Sequence, residues 1–144
     1  MNKIALGSDP NASELKEVIK EMLTKEGYEY NDFGSKDTIY ANVAIKVAES
    51  VANGENWRGI LICGTGIGMS IAANKVKGAY AALVSDEYSA ERASLSNNAN
   101  VITLGSQVTG PVLAKRFVLT WLHAEYIAGG RSEPKIQRIC EYER

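Results

Sequence analysis

Cys63 closes the apolar run Ile60-Leu61-Ile62 and is followed at once by Gly64-Thr65-Gly66-Ile67-Gly68, Met69 and Ser70. The run is too short for a helix and suits a strand buried on both faces. The alternating glycines remove side chains where the chain must turn sharply or take positive φ. A helix beginning near Met69 would aim its unpaired N–H groups back at this loop, a setting that attracts anions and eases ionisation of a thiol. A thiolate beside such a cradle, with hydroxyls from Thr65 and Ser70, suits moving a proton on a carbon next to a carbonyl. The enediolate formed in that step needs its oxygens stabilised. The chemistry requires no cofactor.

The same residues also have ordinary structural uses. Glycine-rich turns are common in α/β proteins, and a cysteine ending a buried strand often belongs to the core. The spacing Gly64-Thr65-Gly66-Ile67-Gly68 fits neither the dinucleotide fingerprint nor the phosphate loop that ends in GK[ST]. The sole histidine, His123, falls in a late helix away from Cys63, which leaves a Cys–His nucleophilic pair without support. No cluster of Cys and His suggests a metal. With 144 residues, a net charge of −1 and no basic run, the chain reads as one domain with no nucleic-acid partner. No apolar stretch approaches membrane-spanning length, and MNKIALGS opens straight into a strand, so a cytoplasmic protein with no membrane partner is expected. Cys63 and Cys140 lie too far apart in context to suggest a disulfide framework.

Strand and helix signals alternate along the chain. Strands are expected at Ile4-Ala5-Leu6, Tyr28 to Phe33, the run into Cys63, Ala79 to Val84, and Val101 to Leu104. Leu15, Val18, Ile19, Met22 and Leu23 predict a first helix, with Asn11 and Glu14 as a capping pair. Val43, Ala44, Val47, Ala48 and Val51 predict a second. Later helices are expected from near Met69, over Asp86 to Asn97, from Pro111 to about Ile127, and over Ser132 to Tyr142. Five β-α units with short loops imply an α/β fold with a parallel sheet covered by helices on both faces. Ligands of such sheets bind beyond the carboxyl ends of the strands. That rule selects Ser8 and Asp9, Cys63 to Ser70, Ser85 and Asp86, and Gly105 to Gly110. Asp86 serves equally well as a helix cap. The polar cluster Ser94 to Asn98 precedes the fifth strand, and its direction is left open. Trp57, and Trp121 beside Phe117 and Val118, read as packing residues, Cys140 as an ordinary helix residue, and His123 as lying on a solvated or interface face.

These motifs resemble the type B ribose-5-phosphate isomerase and galactose-6-phosphate isomerase family. The likeness runs through IALGSD at 4–9, ELKE at 14–17, DFG at 32–34, KVAESVANGE at 46–55, ICGTGIGMSIAANK at 62–75, SDEYSAE at 85–91, NANVITLGS at 98–106 and GGR at 129–131. It implies a Rossmann-like three-layer domain with a five-stranded parallel sheet. It also implies an aldose–ketose isomerase of phosphorylated sugars, a cofactor-independent intramolecular oxidoreductase. Its partners would be a small phosphorylated sugar and a second copy, in a homodimer or tetramer with shared active sites, the segment 129–144 reaching toward the neighbour. By the same resemblance Cys63 carries the proton, Thr65 assists at the sugar oxygens, and the backbone from Gly64 through Gly66, Gly68 and Met69 to Ser70 holds the enediolate. Ser8, Asp9, Tyr40 and Asn97 line the sugar, and Arg131 with Lys135 holds the phosphate.

Departures from the family pattern bear on the substrate. Pro10 stands where the family has a histidine, Ser96 replaces the ring-opening histidine, Gln107 replaces a phosphate arginine, and Ser132 replaces the histidine after GGR. Arg131 is the one clear phosphate arginine that remains, and a lysine such as Lys135 holds phosphate only as a point charge. The resemblance implies a substrate of the ribose 5-phosphate type or a variant short or open-chain sugar phosphate. The departures favour the latter, because a tetrulose phosphate cannot close the usual phosphorylated furanose ring. The alternative is the cysteine-bearing subunit of a hetero-oligomeric galactose-6-phosphate-type enzyme, or a sugar-phosphate-binding homologue with little activity.

Overall fold

The computed structural model describes residues 2–143. Five parallel strands, β1 (Lys3–Ser8), β2 (Glu29–Asp32), β3 (Arg58–Cys63), β4 (Ala81–Leu83) and β5 (Val101–Gly105), form one sheet in the order β2-β1-β3-β5-β4. Helices α1 (Ser13–Lys25), α2 (Tyr40–Ala52), α3 (Ile67–Ala73), α4 (Glu87–Leu95), α5 (Pro111–His123) and α6 (Glu133–Tyr142) complete the chain. The alternation of β3 divides the core. Ile60 and Ile62 face α1, α4 and α5, whereas Leu61 and Cys63 face α2 and α3. This is the expected three-layer α/β architecture. The order reverses between β1 and β3, and the crevice at that switch point is where such sheets take ligands.

Several element boundaries depart from the sequence expectation for identifiable reasons. Asn11 and Glu14 do not cap α1. Asp9 instead caps a 3-10 turn at Pro10–Ala12, its Oδ1 accepting the Ala12 N–H at 3.0 Å, and α1 continues from that turn without a side-chain cap. α3 begins at Ile67, two residues before Met69, because Gly66 takes φ +81 and starts the helix early. α4 stops at Leu95 short of Asn97, where Asn98 adopts a left-handed φ of +52. Asp86 caps α4 by accepting the Ser89 N–H at 2.7 Å. β2 and β4 are shorter than expected, as suits strands at the two sheet edges. Trp57 and Trp121 pack as expected, with Trp121 fully buried and Trp57 stacked on Tyr28.

α5 ends at His123 rather than Ile127, and Arg58 is the cause. This guanidinium opens β3 and is 8% exposed. It lies between the rings of Trp57 and Trp121, at 4.3 and 4.9 Å from their centroids. It donates to the carbonyls of Trp121 at 2.5 Å and Ala124 at 3.0 Å, and to Ser94 Oγ at 2.9 Å. A cation on the last carbonyls of a helix suits the helix dipole, and here it draws Ala124 into extended geometry. We expect Arg58→Leu to cost about 3 kcal/mol, because carbonyls satisfied by a charged donor become orphans. Denaturant unfolding checks this; a loss below about 0.5 kcal/mol, the range of an ordinary surface substitution, would show the staple to be dispensable.

Candidate active site

Cys63 is the last residue of β3 and is 6% exposed. Its sulfur accepts the Gly66 N–H at 3.1 Å. An amide N–H directed at sulfur stabilises negative charge there. The loop that supplies it is held from below. Thr103 Oγ1, buried in β5, donates to the Gly66 carbonyl at 2.8 Å. Gly105 carries the backbone of Thr65, which a Cβ at that position would meet at 2.7 Å. The next loop is tied in as well, with Ser106 N–H donating to the Cys63 carbonyl at 2.8 Å and Gln107 N–H to that of Gly64 at 3.0 Å.

The loop's own amides divide by task. Gly66 N–H serves the sulfur, Ile67 N–H bonds Thr65 Oγ1 at 3.2 Å, and Ser70 N–H closes the first helical turn on the Gly66 carbonyl. The N–H groups of Gly68 and Met69, in the first turn of α3, find no acceptor among the described residues. Met69 is fully buried, backbone included, whereas Gly68 is partly exposed, so the Gly68 N–H is the one of the two that a ligand can reach. Tyr40, exposed at the start of α2, lays its ring over Gly68, where any Cβ would collide with it. Asp9 joins the same edge through its N–H on the Ile62 carbonyl at 3.1 Å, and Ser8 Oγ donates to the Asp9 carbonyl at 2.9 Å.

Cys63, the 64–70 loop, Ser8, Asp9 and Tyr40 therefore assemble at the carboxyl edge of the sheet, as does Gln107. Two cavities open along that edge. One of about 430 Å³ is lined by Ser8, Phe33, Gly34 and Lys46. Another of about 290 Å³ is lined by Asn11, Glu14, Ser106, Gln107 and Thr109, with no lysine or arginine.

Asn97, Arg131 and Lys135 are not part of this cluster. Asn97 follows α4 and precedes β5, which puts it at the amino edge of the sheet. The segment leading to Arg131 is pinned to that edge too, by Arg58 on the Ala124 carbonyl and by Ile127 N–H on the Leu95 carbonyl at 3.4 Å. The six residues of β3 separate the two edges by roughly 17–20 Å. Sequence reasoning missed Thr103 and Arg58. A hydroxyl inside the apolar run of β5, and a cation opening the apolar run of β3, are the signals that mark them.

The profile of the Ribose/Galactose Isomerase family matches residues 4–139. The chain belongs to that family. It is 48% identical to D-erythrulose-4-phosphate isomerase of Pectobacterium atrosepticum, over 99% of this chain and 96% of that protein. It is 44% identical to ribose-5-phosphate isomerase B of Escherichia coli, over 100% and 98%. Its fold matches the Clostridium thermocellum ribose-5-phosphate isomerase B structure with a TM-score of 0.92 at 45% identity, covering 97% of this chain and 96% of that one. The expected Rossmann-like isomerase fold is thereby met. Among the described residues, no helix is long and apolar enough to cross a membrane.

Proposed function

We propose that this isomerase interconverts an aldose phosphate and a ketose phosphate of four carbons, with Cys63 as the proton carrier. The observation that carries the reading is the Gly66 N–H on Cys63 Sγ beside the unpaired, partly exposed amide of Gly68. The thiolate takes the proton from the carbon next to the carbonyl, leaving an enediolate. The Gly68 amide holds its oxygens, and the Thr65 hydroxyl passes the proton of the former hydroxyl oxygen to the former carbonyl oxygen. The protonated sulfur returns its proton to the neighbouring carbon and the new carbonyl forms. Asp9 keeps its Oδ2 free of protein partners for a substrate hydroxyl.

The substrate class rests on the departures. Ser96 and Pro10 stand where the family's histidines are, and a tetrulose phosphate has no phosphorylated furanose ring to open. The likeness to a D-erythrulose-4-phosphate isomerase along nearly the whole chain supports the same choice. A second copy supplies Asn97, Arg131 and Lys135 in this reading, because the chain holds them at the opposite edge from its own Cys63. Exposed Ile67 and Ile71 on α3, exposed Leu83 on the outer strand β4, and an α6 without a single buried residue give that copy an apolar surface to cover. A panel of four-, five- and six-carbon sugar phosphates tests the proposal. The expected result is the highest kcat/KM on the tetrulose phosphate. A preference for ribose 5-phosphate would overturn it.

A further inference from the structure

The two segments that this reading sends to a neighbouring cleft, the loop around Asn97 and the helix after Arg131, meet at one tyrosine. Tyr80 N–H donates to Asn100 Oδ1 at 2.8 Å, Asn100 N–H donates to the Tyr80 carbonyl at 3.0 Å, and Asn100 Nδ2 donates to the Gly78 carbonyl at 2.9 Å. From the other side, Glu143 grips the same turn. Its Oε1 accepts the Gly78 N–H at 2.6 Å, and its Oε2 accepts the Tyr80 hydroxyl at 2.6 Å. The turn favours glycine, with Gly78 at φ +90 and a Cβ built there meeting Ala52 Cβ at 3.2 Å. The Tyr80 hydroxyl and the Gly78 N–H hold the Glu143 carboxyl below the usual carboxylate range, so the grip is charge-assisted.

No residue of α6 is buried, so this helix has little packing to set its direction. It spans ten residues, or about 15 Å, with Glu143 just beyond one end and Arg131 just before the other. A lever of that length turns a small rotation at Glu143 into a displacement of several ångströms at Arg131. We infer that Tyr80 is a positioning residue: with Glu143 and Asn100 it joins the Asn97 loop to α6, so that sugar-binding and phosphate-binding groups reach the neighbouring site in fixed relation. The inference rests on the shared-site reading above. It assigns work to Tyr80 and Glu143, which lie outside the cleft and outside the family motifs.

The test uses the full chain with Tyr80→Phe, which removes the hydroxyl and keeps the ring, and Glu143→Gln, which keeps an acceptor oxygen for Tyr80. Amide exchange over 133–142, calorimetric affinity for inorganic phosphate, and steady-state constants on the tetrulose phosphate are measured on both. Tyr80→Phe is expected to speed exchange in α6, weaken phosphate binding about tenfold and raise KM by a similar factor, with kcat within about twofold. Glu143→Gln should fall between it and the parent protein. Faster α6 exchange with unchanged phosphate affinity would reduce the junction to architecture and overturn the inference, as would a fall in kcat at constant KM. If the parent protein isomerises no sugar phosphate, the isomerase reading fails, while exchange and phosphate affinity still decide whether Tyr80 positions an anion site.

Discussion

Cys63→Ala is expected to abolish exchange of the substrate's α-proton with D2O and to lower kcat by about 10²–10⁴, the range that a positioned acid–base group contributes. KM should stay within a few-fold, because the side chains that hold the sugar are untouched. The fold should also survive. Cys63 ends β3 against Met69 and the α2–α3 layer, and removing one sulfur from such a boundary position costs about 1 kcal/mol. Coincident loss of exchange and turnover in a protein that unfolds near the parent's midpoint separates a chemical role from a packing role. If the alanine variant still washes deuterium into the substrate, the proton moves through another group. Asp9 would then be the next to test, because its carboxylate is at the same edge with one oxygen uncommitted.

Much of this site was readable from residue order, because parallel α/β sheets place ligand groups by a topological rule. Once Ile60 to Ile62 reads as a buried strand, Cys63 and the glycines after it must emerge at the carboxyl edge, together with Ser8, Asp9 and Gly105 onward. Local pattern also finds the helices, since α1, α2 and α5 each carry a continuous apolar stripe. What it does not find are boundaries and supports set by distant residues. The end of α5 is decided by Arg58, 63 positions before Trp121. The poise of the cysteine loop depends on Thr103, 37 positions after Gly66. Neither pairing has a periodicity or motif. The direction of the Ser94–Asn98 cluster was open for a similar reason. Asn98 ends α4 by a left-handed φ that asparagine tolerates but does not announce.

The proposed shared-site dimer yields the other large effect. Arg131→Ala should weaken substrate binding at least about tenfold, since a charge-assisted bond to phosphate is lost where Gln107 offers no second cation. Combined with Cys63→Ala in one two-fold-symmetric dimer, the two defects should complement each other. Such a heterodimer, purified through two different tags, holds one site with both lesions and one site with neither. It should regain about half of the parent activity per dimer, whereas each variant homodimer stays nearly inactive. The expectation follows from the sheet. Cys63 leaves one edge, the segment leading to Arg131 is pinned to the other by Arg58 on Ala124 and by Leu95 on Ile127, and the strand layer lies between them. Within one chain, no side-chain rotation closes a gap of roughly 17–20 Å. A heterodimer as inactive as its parents would mean that each chain builds its site alone. Arg131 would then have to leave the amino edge through a rearrangement that breaks the Arg58 staple, and Arg58→Leu would raise activity instead of only lowering stability.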